Sequence, residues 1–201
     1  MAMQDEVAPA VADLADAGAT TATGDPALDV QQHDVQQHDP EPDPHHVARQ
    51  IVLRQLAMAP RSRAELRQKL AQRGCAPDVA EGVLDRMTQV GLIDDQAYAQ
   101  MLVRSQQAGR GLARRALARE LRTKGIEDQL AEEALASISD ADERDRARAL
   151  VDKKLRAMHG LGIEVQTRRL AGMLARKGYS SSATYAVIRD AIADAPEHLP
   201  D

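Results

Sequence analysis

One pattern occurs three times in this 201-residue chain and fixes most of what it can become. Leu66-x3-Leu70-x2-Arg73-Gly74 returns as Leu117-x3-Leu121-x2-Lys124-Gly125 and again as Leu170-x3-Leu174-x2-Lys177-Gly178, with glycine spacings of 51 and 53 residues. Leucines four apart share one face of an α-helix, a cation in the last turn complements the helix dipole, and a glycine just beyond supplies a left-handed cap. The apolar pattern past each glycine also recurs, as Val83/Leu84/Met87, Ala134/Leu135/Ile138 and Val187/Ile188/Ala191. Ahead of each leucine pair a longer helix is expected, near 47–58, 95–107 and 141–157, carrying Ile51/Val52, Met101/Leu102 and Leu150/Val151. The chain reads as all-α, with three tandem three-helix repeats at 47–92, 93–138 and 139–194. A unit of roughly 50 residues buries little surface alone, so neighbours should stack into an elongated curved array.

Local signals agree with that reading. From Val47 to about Ala193 no stretch alternates with period two over strand length, and Ala, Leu, Arg, Glu and Gln dominate. Ser62-Arg-Ala-Glu65 fits a capping box, and Asp94, Asp140 and Ser180 or Ser181 are N-cap candidates. With no Phe, no Trp and three Tyr, the cores must be filled by small and aliphatic side chains, so each unit should be thin. Gly160-Leu161-Gly162, in the connection within the third unit, is the expected hinge.

Residues 1–46 are of another kind. They hold ten acids and no Lys or Arg, and Asp29–Asp39 is a tandem DVQQHDVQQHD followed by DPEPDPHH. Such a segment cannot bury enough apolar surface to offset its ordering entropy, and a disordered acidic tail is expected there, with a short disordered end at 195–201. His33, His38, His45 and His46 read as part of a solvated tail rather than as a metal tract. The tail also conceals the charge of the rest. The whole chain is −5, but all 26 bases fall in 47–201, where they exceed the acids by 5. The low average charge therefore does not exclude nucleic acid.

Composition excludes other classes. Scarce aromatics rule out base-stacking platforms of the RRM or OB type. A lone Cys75 forbids an internal disulfide and a thiolate zinc site. No apolar run is long enough to span a membrane and no signal peptide opens the chain, so the cytoplasm is the expected compartment. No phosphate loop, HExxH or GxSxG occurs. Asp94-Asp95 reads as a helix start, His159 as a surface or satisfied histidine, and Cys75 as a small residue at a cap. The expectation is a protein without catalytic activity, cofactor or metal.

Basic residues are the stronger lead. Residues 104–124 carry Arg104, Arg110, Arg114, Arg115, Arg119, Arg122 and Lys124 against Glu120 alone. On a helix whose buried face is set by Leu117 and Leu121, Arg115, Arg119 and Arg122 fall on one opposite stripe. A solvated helix usually alternates sign at i, i+4; this stripe does not, and arginine is the fork-shaped donor suited to phosphate. The first unit adds Arg61, Arg63, Arg67, Lys69 and Arg73, and the third Arg168, Arg169, Arg176 and Lys177. Three related basic helices could follow a polyanion along its length, giving salt-dependent affinity for the DNA phosphate backbone with little sequence discrimination.

At these residues the chain resembles the RecX family of bacterial regulators. The resemblance is carried by RSRAELRQKLAQRG (61–74), VLDRMTQVGLIDDQAYAQMLVRSQQAGRG (83–111), RALARELRTKGI (115–126) and RRLAGMLARKGY (168–179). Most specific is Gly91-Leu-Ile-Asp-Asp95-x2-Tyr-Ala99 with Arg104, Gly109 and Glu120–Gly125, because it crosses a unit boundary. The resemblance implies a non-catalytic protein of tandem three-helix repeats that binds RecA and the RecA–DNA filament. It also implies suppression of RecA's ATPase, strand-exchange and coprotease functions, and so modulation of recombination, DNA repair and the SOS response. The family often has Phe where Tyr98 and Tyr179 stand, a mild change of equal ring volume, and 158–165 (MHGLGIEV) carries no part of the match. The expected protein is a monomer whose candidate DNA or filament contacts are Arg63, Arg67, Lys69, Arg110, Arg114, Arg115, Arg119, Arg122, Lys124, Arg168, Arg169, Arg176 and Lys177.

Two other readings stay open on sequence. A helix-turn-helix transcription factor would read a major groove with the helix after each glycine, although Glu127, Asp128, Glu132 and Glu133 would repel phosphate there. A protein-binding helical adaptor would need no nucleic acid at all. The acidic tail could compete with phosphates for the same arginines.

Overall fold

The structure, a computed structural model, describes residues 43–194. The acidic tail, apart from Asp43 to His46, and the segment 195–201 lie outside the described residues. Nine helices and no strands occur among those described: α1 Pro44–Met58, α2 Arg63–Gln72, α3 Pro77–Gln89, α4 Asp95–Arg110, α5 Arg114–Thr123, α6 Asp128–Ala136, α7 Asp140–Leu155, α8 Ile163–Arg176 and α9 Ser181–Ala193. They form three sets of three, and the main helix–helix packing lies within each set. None is long and apolar enough to cross a membrane.

Each set closes its own core. Val52, Leu66, Leu70, Leu84 and Met87 sit in the first, Leu102, Leu117, Leu121, Leu135 and Ile138 in the second, and Val151, Leu170, Leu174, Ile188 and Ala191 in the third. The leucine pair of each repeat is fully buried, which explains why the pattern recurs: truncating one such leucine to alanine costs about 2–5 kcal/mol. The three glycines end α2, α5 and α8 as expected. Their φ angles are 75°, 69° and 89°, and the next residue's N–H reaches back to the second leucine's carbonyl at 3.1, 3.1 and 3.2 Å.

Capping follows the sequence with two differences. Ser62 forms its box with Glu65, and Asp94 and Ser180 accept from the third residue of their helices. The cap of α7, however, is Ser139 and not Asp140, because Ser139 and Asp142 complete a reciprocal box while Asp140 becomes the first helical residue. At the other end of the sequence, α1 starts at Pro44 with Asp43 accepting from the His45 N–H, so the helix begins ahead of residue 47.

The sets are joined by two equivalent seams. At the first, Ser62 Oγ donates to the Lys124 carbonyl (2.6 Å), the Arg63 N–H donates to Asp95 Oδ1 (2.8 Å), and Lys124 Nζ reaches Glu65 (2.6 Å). At the second, the Ala113 N–H donates to the Lys177 carbonyl (2.9 Å), the Arg114 N–H donates to Glu143 (3.1 Å), and Lys177 Nζ donates to the Arg110 carbonyl. A tyrosine hydroxyl seals each: Tyr98 to Glu65 (3.1 Å) and Tyr179 to the Gly111 carbonyl (3.1 Å). The cap glycines press into the neighbour. A Cβ on Gly125 would lie 2.3 Å from Ala64 Cβ, and one on Gly178 2.6 Å from Ala116 Cβ, whereas one on Gly74 would meet none of the described residues within 4 Å.

Unit three breaks the pattern at its own corresponding place. Helix α8 starts four residues earlier relative to its glycine than α2 and α5 do, with Gly162 at its N-cap. Gln166, which corresponds to Ser62 and Ala113, is therefore inside the helix, and its N–H is already bonded to the Gly162 carbonyl (3.1 Å). Arg168 and Arg169, both exposed, stand where Ala64 and Ala116 accept a neighbour's glycine.

Candidate nucleic-acid interface

The thirteen basic side chains expected to bind fall into two groups once their neighbours are known. Arg63 donates to Glu81 (2.6 Å) and Asp85 (2.7 Å), and Arg67 binds the same Glu81 through Nε and Nη2. Those hydrogen bonds, Arg67 first, hold the Glu81 carboxyl down at about 2. Arg110 pairs with Glu120 (2.5 Å), and Arg114 with the Ile138 carbonyl and Asp140 (3.2 Å). Lys124 and Lys177 serve the seams. All of these have partners within their own chain.

The seam groups show the electrostatic cost of that work. Burial pulls the Glu65 carboxyl up, but Lys124, the Ser62 N–H and Tyr98 together hold it below its ordinary value. Burial, with the Glu65 charge beside it, pushes Tyr98 up to about 12, and burial with Glu143 nearby does the same to Tyr179. Asp95 is raised by burial, against the pull of the Arg63 N–H. Sequence reasoning missed this role of the two lysines and two tyrosines. A signal was present: the residue before the cap glycine is Lys in units two and three, which dock onto a predecessor, and Arg in unit one.

The other group remains open to solvent or a ligand. Arg115, Arg119, Arg168, Arg169 and Arg176 are exposed, Lys69 is partly so, and none of them pairs with a carboxylate among the described residues. Arg122 approaches Asp128 only at 4.0 Å, with both side chains largely in water. The outward stripe of α5 is thus real as geometry: Leu117 and Leu121 are buried, and Arg115, Arg119 and Arg122 point away from them.

Two grooves flank α8. One, of about 490 Å³, runs between Arg115 and Arg119 on α5 and the start of α9, floored by Gly172, Ala175 and Gly178. The other, of about 520 Å³, is rimmed by Lys154, Arg168, Arg169 and Arg176 and also reaches Gly172. Among the described residues no carboxylate lines either groove. Such surfaces present guanidinium forks to an anion in positions fixed by helices.

Family models for the first, second and third three-helix domains of RecX match residues 48–87, 94–135 and 141–188 in turn. The chain is 49% identical over 165 residues to "Regulatory protein RecX" of Streptomyces coelicolor, covering 81% of this chain and 88% of that protein. It is 48% identical over 143 residues to the protein of the same name from Thermobifida fusca, covering 71% and 77%. The fold matches the crystal structure of RecX from Lactobacillus salivarius with a TM-score of 0.67 at 22% identity, over 75% of this chain and 98% of that one.

Proposed function

The chain belongs to the RecX family of regulatory proteins, and from that premise we propose that it binds RecA and the RecA–DNA filament and inhibits RecA's ATPase, strand-exchange and coprotease activities. Through that inhibition it modulates recombination, DNA repair and the SOS response. It acts in the cytoplasm as a monomer, by occupancy rather than by turnover.

The observation that carries the reading is the exposed arginine stripe of α5, where Arg115 and Arg119 have no carboxylate partner among the described residues, continued by the exposed arginines of α8. Unneutralised arginines on one exposed stripe repel one another, and a partner rich in phosphate relieves that repulsion. The transcription-factor reading fares worse, because α6 exposes Asp128, Glu132 and Glu133 where a recognition helix would need donors.

The test is titration of RecA ATPase on single-stranded DNA, with strand exchange measured in parallel. Inhibition at near-stoichiometric protein is expected. Unchanged ATP turnover and strand exchange over a several-fold molar range would refute the reading.

A further inference from the structure

The two grooves beside α8 meet at a residue the fold itself does not require to be glycine. Gly172 lies in the middle of α8, where glycine is disfavoured relative to alanine, and it has ordinary helical geometry. A Cβ there would approach only Arg176 Nη1, the far end of a flexible side chain, at 3.4 Å. This contrasts with Gly125 and Gly178, which a neighbouring unit presses upon. Gly172 is also the residue that lines both the Arg115/Arg119 groove and the groove of Arg168, Arg169 and Arg176, and only the movable end of Arg176 stands over it.

We propose that a single-stranded nucleic-acid backbone crosses α8 over Gly172, with phosphates held by Arg115 and Arg119 on one side and by Arg168, Arg169 and Arg176 on the other. The occupant is polyanionic because both grooves carry guanidinium groups without a carboxylate partner and, among the described residues, no carboxylate. It is single-stranded because Tyr185, 57% exposed, stands in the same groove as Arg115 and Arg119, where its ring can stack on one unpaired base. Thr184 lines that groove too, 3% exposed, and its buried hydroxyl has no hydrogen-bond partner among the described residues. This inference rests on the DNA-contact part of the function proposed above and assigns its location.

The test uses the full chain and a fluorescent oligo(dT), read by anisotropy at low salt, with melting temperature recorded for every variant. Gly172→Gln fills the crossing without charge, and Gly172→Glu adds a charge facing Arg168 and Arg176 four residues to either side. Both should keep or raise the melting temperature, since both improve helix propensity, while affinity falls at least five-fold for Gln and more for Glu. Gln68→Glu, at the corresponding position of α2, should change affinity less than two-fold. Should either Gly172 variant fail to fold, Arg119→Ala and Arg169→Ala, both at exposed sites, must each weaken binding by at least three-fold. Tyr185→Ala should weaken single-strand binding and spare duplex.

Wild-type affinity for Gly172→Gln, with Gly172→Glu no weaker than Gln68→Glu, overturns the crossing, as does loss of RecA binding with oligonucleotide binding intact, which would make the occupant a protein. The two readings separate cleanly: if the wild-type chain leaves RecA uninhibited while the Gly172 variants still lose oligo(dT), the crossing stands and the RecA reading falls.

Discussion

Alanine at each of the three cap glycines should have unequal consequences, and the inequality measures the seams. All three glycines hold a positive φ, so each Gly→Ala variant carries left-handed strain of about 1–2 kcal/mol. At Gly74 a new methyl touches none of the described residues, and that strain should be the whole loss. At Gly125 the new methyl would sit 2.3 Å from Ala64 Cβ, so the seam must open, adding about 1–3 kcal/mol of overpacking. Gly178→Ala should cost at least as much, because Ala116 offers backbone nitrogen at 2.7 Å as well as its Cβ. Urea unfolding followed by far-ultraviolet circular dichroism gives the three losses. A second cycle isolates the cause. Ala64→Gly removes the opposing Cβ and leaves only Cα at 3.8 Å, so it should couple favourably to Gly125→Ala by about 1 kcal/mol or more. Ala116→Gly cannot relieve the backbone contact and should show coupling to Gly178→Ala below about 0.5 kcal/mol. Equal losses at Gly74, Gly125 and Gly178, or equal coupling at the two seams, would refute the claim that these glycines join units as well as ending helices.

Three further outcomes are expected. Replacing Arg115, Arg119 and Arg122 together by alanine should leave the melting temperature unchanged and make oligo(dT) affinity less steep in salt, with a slope smaller by about 2 if each arginine meets a phosphate of a single strand; an unaltered slope would place the DNA elsewhere. Stability should fall as pH drops from about 4.5 towards 2, since the depressed folded-state values of Glu65 and Glu81 give stability that is present above the unfolded value and lost as their carboxyls protonate. Asp95, raised in the folded state by burial, favours folding when protonated and so offsets part of that loss, and Glu81→Gln should flatten the curve of urea midpoint against pH. Deleting residues 1–42, which spares the Asp43 cap of α1, should tighten oligo(dT) binding at low salt and have little effect at high salt, as the competition of ten tethered acids for the arginines requires, nine of them within the deletion.

The sequence showed what depends on neighbours along the chain and hid what depends on neighbours in space. Leu66/Leu70 and their repeats, the glycine stops and the Ser62 box all rest on contacts within a few residues, and all are in place. The exposed faces of Arg115, Arg119 and Arg122 followed from helical geometry alone. Arg63 and Arg114 looked no different from Arg115, yet both are engaged, by Glu81 and Asp85 in one case and by Ile138 and Asp140 in the other. Their partners lie some twenty residues away on other elements, beyond any helical spacing rule. Ser139 against Asp140 at the start of α7 was a closer matter. Either can cap, and the reciprocal box with Asp142 decided it.

The early start of α8 limits how a protein of this design could be enlarged. In the first two units the residue opening the second helix keeps a donor in hand for the carbonyl preceding the next cap glycine; in the third, Gln166 has spent its N–H on Gly162. Splicing a fourth copy of the unit behind α9 would therefore attach it by its linker but give it no berth. An engineer wishing to extend the series would have to excise the first turn of α8 and replace the bulky pair at 168 and 169 with alanine, and would sacrifice cationic surface in doing so.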